Sequence, residues 1–306
     1  YRPEIDGLRA IAVGAVILYH AQFNFLGYGF FKGGFIGVDI FFVISGYLIT
    51  SIILRELIFT NTFSFINFYK RRLRRILPAL LVVMLFSLPL AWMYLVPSSL
   101  INFSKSILYS LGISSNFYFN YSGQEYGATD GLLKPFLHTW SLSVEEQFYI
   151  IFPVILLISF KYLRKYLIYI IFSGFLISLL FGVWTGRNYP SISFYFLHTR
   201  MWELLAGSIL AYFEIKNGKR SKNKILNYTF PIIGLFLIFS SMIFFKLNIG
   251  FLTLYSLPAI LGTSLIIWFS DENTIINKIL SNKIFVGIGL ISYSLYLWHY
   301  PVFAFA

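Results

Sequence analysis

Residues 8–23, LRAIAVGAVILYHAQF, form an apolar run that carries Arg9 near one end and His20 near the other. An offset of eleven positions corresponds to three turns of an α-helix plus about 20°, and to about 16 Å along its axis. Both side chains are therefore predicted on one stripe of a helix. Because lipid offers neither group a partner, in a membrane both should face protein or a water-filled cavity.

Simpler interpretations remain open for each of these residues. Arg9 could extend to the lipid headgroups, and His20 could be satisfied by a backbone carbonyl at the membrane interface. Glu4 and Asp6 precede the run. They could stabilise the positive end of the helix dipole, or they could hold Arg9.

The composition predicts a membrane protein. Of 306 residues, 58% are hydrophobic and 12% are charged, the mean hydropathy is +0.75, and soluble domains contain about 25% charged residues. Apolar runs near the ~20 residues that a bilayer requires recur along the chain, and only helices satisfy their backbone groups there. We predict an all-α, polytopic integral membrane helical bundle of nine or ten transmembrane helices, forming a single domain over 1–306. The predicted spans are about 8–23, 35–54, 76–96, 141–160, 166–184, 193–213, 226–245, 249–270 and 284–306, with a weaker tenth at 104–120.

Lys and Arg residues in short loops predict the orientation. Placing the first basic cluster in the cytoplasm puts the N-terminus inside and His20 towards the outer face. The second cluster can lie inside as well only if 104–120 does not cross the membrane or if a half-span is hidden nearby. The three clusters are Lys70, Arg71, Arg72, Arg74 and Arg75; Lys161, Arg164 and Lys165; and Lys216, Lys219, Arg220, Lys222 and Lys224.

The net charge of +12 follows mostly from these clusters, whose position at span ends favours anionic lipid headgroups as partners over nucleic acid. The chain has no cysteine. A disulfide framework, a thiolate metal site and a cysteine nucleophile are therefore excluded, and no metal is expected.

The second run, GGFIGVDIFFVISGYLI at 33–49, contains the intramembrane acid Asp39, which needs a partner. Its small residues, among them Ser45 and Gly46, permit close helix approach. In the basic segment that follows, Arg72 and Arg75 stand at i,i+3 and share a helical face. They could serve only to anchor the topology, or they could bind phosphates through bidentate contacts.

Three later segments also place polar groups beside apolar runs. Glu145 and Glu146 follow His138 and Trp140, and two adjacent acids exceed what a helix start requires. Arg200 and Glu203 stand at i,i+3 and could simply neutralise each other within one helix. For Tyr296, His299 and Tyr300, in the last run, an aromatic belt at the membrane interface is favoured over a cavity lining.

Six of these patterns together resemble the acyltransferase family 3 membrane proteins, in order and over essentially the entire chain. The matching segments are Arg9-x10-His20, Phe41-Phe42-x-x-Ser45-Gly46, Arg72-x-x-Arg75, the segment from His138 to Tyr149, Arg200-x-x-Glu203-Leu-Leu-x-Gly207, and the segment from Ser292 to Pro301.

The resemblance implies a multi-pass enzyme of the bacterial cytoplasmic (inner) membrane. Such proteins move acyl groups, most often acetyl, from acyl-CoA to hydroxyls of extracytoplasmic glycans such as lipopolysaccharide O-antigen, peptidoglycan and exopolysaccharide. Acetyl-CoA is then a co-substrate, and the acceptor is a membrane glycan or lipid-linked saccharide. Many family members also carry a C-terminal SGNH hydrolase-like domain, which is absent from this chain.

Acyl transfer to a hydroxyl needs a base, a donor to the developing oxyanion and a clamp for the coenzyme phosphates. We assign His20, whose side chain suits a base near neutral pH, to the base or to a transient acyl carrier. Arg9 would anchor the thioester or polarise its carbonyl, and Glu145 would orient or charge-balance His20. Arg72 and Arg75, with Arg71 and Arg74, would bind the phosphates, and Ser45 would line the acyl pocket. Further residues expected to line the cavity are Asp39, Trp140, Arg200, Glu203, Tyr296 and His299.

A proton-coupled transporter is the alternative from another class, because intramembrane Arg, His, Asp and Glu also mark such carriers. Carriers commonly contain two related halves or correspondingly broken spans, and the sequence has no detectable internal repeat.

Overall fold

The computed structural model of the protein describes residues 1–22, 24–25, 28–29, 31–122, 133–218, 220–247 and 252–306, which fold mostly into helices. A short antiparallel ladder joins β1 (Asn24–Phe25) to β2 (Tyr28–Gly29). The α-helices are α1 (Pro3–His20), α2 (Gly37–Thr60), α3 (Phe65–Tyr94), α4 (Pro97–Leu111), α5 (Ser115–Tyr121), α6 (Thr139–Tyr162), α7 (Leu167–Asn188), α8 (Pro190–Tyr195), α9 (Leu197–Asn217), α10 (Lys224–Phe244), α11 (Leu252–Phe269), α12 (Ile275–Leu280), α13 (Lys283–Leu290) and α14 (Ser292–Phe305).

Six helical stretches within the described residues are long and apolar enough to cross a membrane: Gly34–Thr60, Phe65–Tyr94, Thr139–Tyr162, Arg164–Asn188, Lys224–Phe244 and Leu252–Phe269. They confirm the all-α membrane class. The predicted span 284–306 is divided near Ile291 between α13 and α14, and 249–251 lie outside the described residues. The count of nine or ten spans stays a prediction.

The helix that contains most of the predicted span 76–96 begins well before residue 76. α3 starts at Phe65, after Ser64, whose hydroxyl accepts a hydrogen bond from the Asn67 backbone N–H at 3.3 Å. Lys and Arg are good helix formers, so the basic segment continues the helix instead of forming the expected loop. Arg72 and Arg75 are thereby fixed on a regular helical surface.

The weak segment 104–120 is divided between α4 and α5, which are 15 and 7 residues long. Both pack beside the first turns of α6. Ser110 Oγ lies 2.8 Å from Thr139 Oγ1, and Ser115 Oγ lies 2.8 Å from Ser143 Oγ. Neither helix is among the stretches of the described residues that are long and apolar enough to cross a membrane.

Contacts between the basic clusters put them at the same end of the bundle, which we call the basic end. Arg71 lies 3.7 Å from Glu56, near the C-terminus of α2. Arg164 and Lys216 line one groove with Leu54, also from that part of α2. The N-terminus of α3, the start of α7 and the C-terminus of α9 therefore meet there. Lys219 lies outside the described residues.

The N-terminus of the chain lies at the basic end too. Arg220 Nη1 is 3.7 Å from Glu4 Oε1, and Arg2 Nη1 is 2.7 Å from the hydroxyl of Tyr47. His20 is the last residue of α1, about 24 Å further along the helix axis than Glu4. α1 thus carries Arg9 in the half nearer the basic end and His20 at the other end.

Helices α2 and α9 pack in parallel at the centre of the bundle, through glycines. A Cβ atom on Gly46 would lie 1.8 Å from the Leu204 carbonyl oxygen, and one on Gly207 would lie 2.0 Å from that of Val43. Such contacts bring the two backbones together, as expected for small residues between membrane helices. The packing fixes the axial register of α2, and with it the position of Ser45.

Candidate functional site

A cavity lies between α1, α2, α3, α6 and α14. It combines cations, acids and hydroxyls with apolar walls, and we call it the arginine cavity. Its lining residues are Arg9, Val38, Phe41, Phe42, Ser45, Leu48, Ile49, Arg72, Arg75, Ile76, Ser141, Leu142, Glu145, Glu146, Tyr149, Ser292, Tyr293 and Tyr296. The sequence predictions for Arg9, Ser45, Arg72, Arg75, Glu145 and Tyr296 thus concern residues that the structure brings together.

Arg9 is held by an acid on its own helix. Its Nη1 donates to Asp6 Oδ1 at 2.7 Å, and the hydroxyl of Tyr1 donates to Asp6 Oδ2 at 2.7 Å. Glu4 instead accepts from Arg2 Nε at 2.8 Å. Of the two acids considered for Arg9, Asp6 is therefore the partner, and it orients the guanidinium from the side nearer the N-terminus.

Arg72 and Arg75 both line the cavity, as their i,i+3 spacing predicts. The guanidinium carbon of Arg72 lies 5.2 Å from the ring centre of Tyr149 and 5.7 Å from that of Phe68. Within the described part of the chain, neither arginine has a carboxylate oxygen within 4.0 Å. The cavity therefore presents two cations that no acid neutralises directly.

Arg71 and Arg74 are not among the residues that line this cavity, so the structure does not bring them together with Arg72 and Arg75 there. The side chain of Arg71 is 59% exposed and lies beside Glu56, and Arg74 is exposed on the surface of α3. One helical position rotates a side chain by about 100°, so neighbours of Arg72 and Arg75 point away from the face that those two share.

Glu145 accepts hydrogen bonds from the hydroxyls of Ser45 and Tyr149. Glu145 and His20 line different cavities, so the predicted role of Glu145 in orienting or charge-balancing His20 stays a prediction that no direct contact in the described structure supports. His138, the residue preceding α6, is the one that packs beside His299 and Tyr300. Glu145 follows it by two turns, about 10 Å along the axis.

Several polar residues of the cavity were given no individual role from the sequence. Glu146 is the clearest, because its Oε1 is buried without a hydrogen-bond partner in the described structure. Its position beside Glu145 was the available signal. The others, Ser141, Tyr149 and Tyr293, stand in apolar runs. In such a run the sequence does not distinguish a Ser or Tyr that lines a cavity from one that lies at the membrane interface or packs between helices.

A second group, the histidine cluster, contains His20, His138, Tyr296, His299 and Tyr300. His20 Nδ1 lies 3.1 Å from His299 Nε2, and His299 Nδ1 lies 2.6 Å from the Tyr296 carbonyl oxygen. His138 stacks on Tyr300 with ring centres 5.3 Å apart. His299 and Tyr300 are buried, so the favoured interpretation as an interfacial aromatic belt is wrong for them: their rings pack against α1 and the start of α6.

His20 also lines a second cavity, the histidine cavity, with Ala21, Gln22, Tyr300 and Phe303. Tyr296 connects the two regions. Its side chain lines the arginine cavity, its hydroxyl donates to the His138 carbonyl at 2.9 Å, and its own carbonyl contacts His299. Tyr296, His299 and His20 thus form a chain of contacts from one cavity lining to the other.

Asp39, Arg200 and Glu203 form a buried ionic cluster. Arg200 Nη1 lies 2.9 Å from Asp39 Oδ1 and 2.8 Å from Glu203 Oε1. The exposed fraction of the side chain is 3% for Arg200, 1% for Asp39 and 0% for Glu203. The Arg200 guanidinium also lies 5.3 Å from the Trp140 ring centre. These four residues belong to the lining of neither cavity, and the lining role expected for them stays a prediction. The ion pair of Arg200 with Asp39 links α2 to α9, and the Trp140 ring packs on the Arg200 guanidinium. Buried charges need direct partners, which these three charged side chains provide for one another.

Within the described ranges, no group of three or more His, Asp or Glu side chains has the arrangement of a metal site.

Comparison with known proteins agrees with this description. The chain is 37% identical to the peptidoglycan O-acetyltransferase OatA of Listeria monocytogenes over 99% of its own length and 49% of that protein. It is 33% identical to the O-acetyltransferase OatA of Staphylococcus aureus strain NCTC 8325, over 100% of its own length and 51% of the relative. The chain thus spans about half the length of these curated relatives.

No solved structure matches the chain. A family model described as an acyltransferase domain matches residues 2–306. The chain belongs to this family of membrane acyltransferases, acyltransferase family 3.

Proposed function

We propose that the chain transfers an acyl group, acetyl in the first instance, from acyl-CoA to a hydroxyl of an extracytoplasmic glycan. The single observation that carries the proposal is the arginine cavity, in which Arg72 and Arg75 stand beside apolar walls with no carboxylate oxygen of the described residues within 4.0 Å. An anionic donor with an acyl end fits such a site.

The donor would bind through its phosphates at the arginine cavity. Guanidinium groups bind phosphate oxygens through paired, charge-assisted hydrogen bonds. Arg72 and Arg75 share one face of α3, and the Tyr149 ring beside Arg72 restricts its orientation. Arg9, oriented by Asp6, would polarise the thioester carbonyl or anchor it. Ser45 and Glu145 would line the path of the acyl group.

His20 would act on the acceptor from the histidine cavity. A base must remove the hydroxyl proton as the oxygen attacks the acyl carbon, and an imidazole suits that task near neutral pH. Tyr296, in the inner wall of the arginine cavity, contacts His299, which in turn contacts His20. This chain of contacts supports a donor arm that extends past Tyr296 towards His20.

We infer that the basic end faces the cytoplasm of a bacterial cell and that His20 lies towards the outer face of the cytoplasmic membrane. The clustering of three Lys- and Arg-rich segments at one end supports this orientation. The acceptor we favour is peptidoglycan, since the Listeria relative is named for it. Lipopolysaccharide O-antigen and exopolysaccharide are the other candidates from the same chemical class.

Anionic lipids are proposed partners at a groove of the basic end. Arg164 and Lys216 lie at its rim, and the guanidinium carbon of Arg164 is 4.6 Å from the Phe160 ring centre. Basic residues between membrane helices bind anionic headgroups, and the apolar groove would take the acyl chain. The groove is lined by Leu54, Ile58, Phe160, Arg164, Leu167, Tyr212, Ile215 and Lys216.

The test is acetyl transfer by the solubilised protein from radiolabelled acetyl-CoA to de-O-acetylated peptidoglycan fragments. We expect transfer by the wild-type protein and a fall of about 10² in the rate for His20→Ala, as for loss of a general base. Full transfer by His20→Ala at a normal protein level would refute the role of His20. Absence of any acetyl-CoA turnover by the wild-type protein, together with saturable solute flux, would refute the enzyme.

A further inference from the structure

His299 approaches His20 from the opposite end of the chain. The two residues stand 279 positions apart, and the contact between His20 Nδ1 and His299 Nε2 measures 3.1 Å. The ring centres are 5.1 Å apart and the rings are tilted by 39°. Both residues are buried, so this is a contact between two packed imidazoles.

The main chain determines which nitrogen of His299 carries a proton. Its Nδ1 lies 2.6 Å from the Tyr296 carbonyl oxygen. A carbonyl oxygen can only accept, so Nδ1 must carry the hydrogen. A neutral imidazole has one N–H donor and one acceptor nitrogen. His299 Nε2 is therefore an acceptor.

The same reasoning extends to His20. Since His299 Nε2 presents a lone pair, the atom facing it, His20 Nδ1, must be an N–H donor. In neutral His20 the remaining lone pair then stands on Nε2. The reverse arrangement would need two protons on His299, and a cation there would face a second buried ring.

We propose that His299 is a positioning residue: it holds His20 in the tautomer whose Nε2 accepts the proton of the acceptor hydroxyl. This inference rests on the proposed function for its chemistry, although the tautomer itself does not. It gives His299 the orienting role for which the sequence had suggested Glu145.

The proton balance of the step follows from that arrangement. The acceptor oxygen bonds to the acyl carbon while its proton moves to His20 Nε2, giving an imidazolium whose Nδ1–H still donates to His299. The carbon–sulfur bond then breaks, and the leaving thiolate takes the proton from Nε2. His20 returns to its starting tautomer, and His299 remains neutral throughout.

The first test does not depend on activity. The chain contains four histidines, so ¹⁵N-histidine NMR of the protein in detergent at about pH 8, where imidazoles are mostly neutral, can be assigned by single His→Gln variants. We expect the proton of both His20 and His299 on Nδ1. A proton on Nε2 of His20 would overturn the proposal, whatever the activity.

The second test compares variants at residue 299. In His299→Gln the side-chain oxygen can occupy the place of Nε2 and accept from His20, whereas Ala offers no acceptor. We expect kcat to fall about tenfold in His299→Ala, corresponding to one lost hydrogen bond, and to recover in large part in His299→Gln. The KM for acetyl-CoA should stay unchanged in both, because its proposed phosphate site lies in the arginine cavity.

The matched control is His198→Gln. His198 packs against Phe181 of α7 and against Phe196, which lies between α8 and α9. It should retain the wild-type kcat. If His299→Ala and His299→Gln lose activity equally at unchanged melting temperature, His299 does not act as an acceptor for His20 and the proposal fails. An inactive wild-type protein with the expected NMR tautomers would instead reject the proposed function alone.

Discussion

Arg9 and His20 stand three turns apart on one uninterrupted helix, α1, and line two different cavities. The pattern that first suggests a single polar stripe therefore spans two sites, one near the basic end and one at the far end of the helix. The proposed reaction divides accordingly. Donor recognition belongs to Arg9 and its neighbours on α3, and proton transfer belongs to His20 and its partner on α14.

Removing Arg72 or Arg75 should weaken donor binding. We expect Arg72→Ala and Arg75→Ala each to raise the KM for acetyl-CoA about tenfold or more, because a hydrogen bond to a charged group contributes about 1.5–3 kcal/mol. Arg71→Ala, on the exposed side of the same helix, is the control and should leave the KM unchanged. Equal effects of all three variants would mean that α3 acts through its overall charge.

Filling the contact between α2 and α9 should destabilise the fold. The Cβ of Gly46→Ala would meet the Leu204 carbonyl oxygen at 1.8 Å, and overpacking of a tight core costs about 1–3 kcal/mol. We expect a lower melting temperature in detergent. Gly14→Ala is the matched control, since its Cβ would meet nothing within 4 Å. A Gly46→Ala protein as stable as Gly14→Ala would contradict the observed packing.

The cluster around Arg200 should govern stability. Arg200→Leu leaves Asp39 and Glu203 buried without their cation, and breaking a buried ion pair in this way costs about 3–5 kcal/mol. We expect a large loss of folded protein on size-exclusion chromatography, and little loss for the exposed control Arg74→Leu. If Arg200→Leu kept its melting temperature and lost only activity, the cluster would have to contact substrate after all.

The groove at the basic end should retain anionic phospholipid. We expect native mass spectrometry in phosphatidylglycerol-containing micelles to show bound lipid on the wild-type protein and its loss in the double variant Arg164→Gln, Lys216→Gln. Inorganic phosphate should not compete, since it lacks the acyl chains that the groove would hold.

The control for this experiment is Lys222→Gln combined with Arg74→Gln, which removes the same charge from exposed positions. Equal lipid loss in both double variants would contradict a specific groove and would leave only general attraction between charges.

Helical periodicity made part of the site predictable. The 100° rotation per residue put Arg72 and Arg75 on one face and correctly suggested the pair formed by Arg200 and Glu203. Such arguments concern one helix at a time. Asp39, the other partner of Arg200, stands 161 positions away from it, and no local pattern identifies that contact.

The axial register between helices could not be predicted from the sequence for the same reason. Whether Glu145 or His138 would meet His20 depends on how far α6 slides along α1, which the packing of many side chains decides. The packed position of His299 was hard to recognise from the sequence, because an aromatic segment in the last apolar run resembles an interfacial belt. Its burial is a property of the assembled bundle.

The ring contacts of Tyr296 and His299 have a consequence for the cell's energy supply under the proposed function. A catalyst that takes its donor from one side of a bilayer and its acceptor from the other risks short-circuiting the ion gradient stored across it. Between the arginine cavity, which Tyr296 lines, and the histidine cavity, which His20 lines, the rings of Tyr296, His299 and His20 follow one another in contact. In the proposed reaction these packed rings would limit the passage of protons while the acyl group changes compartments.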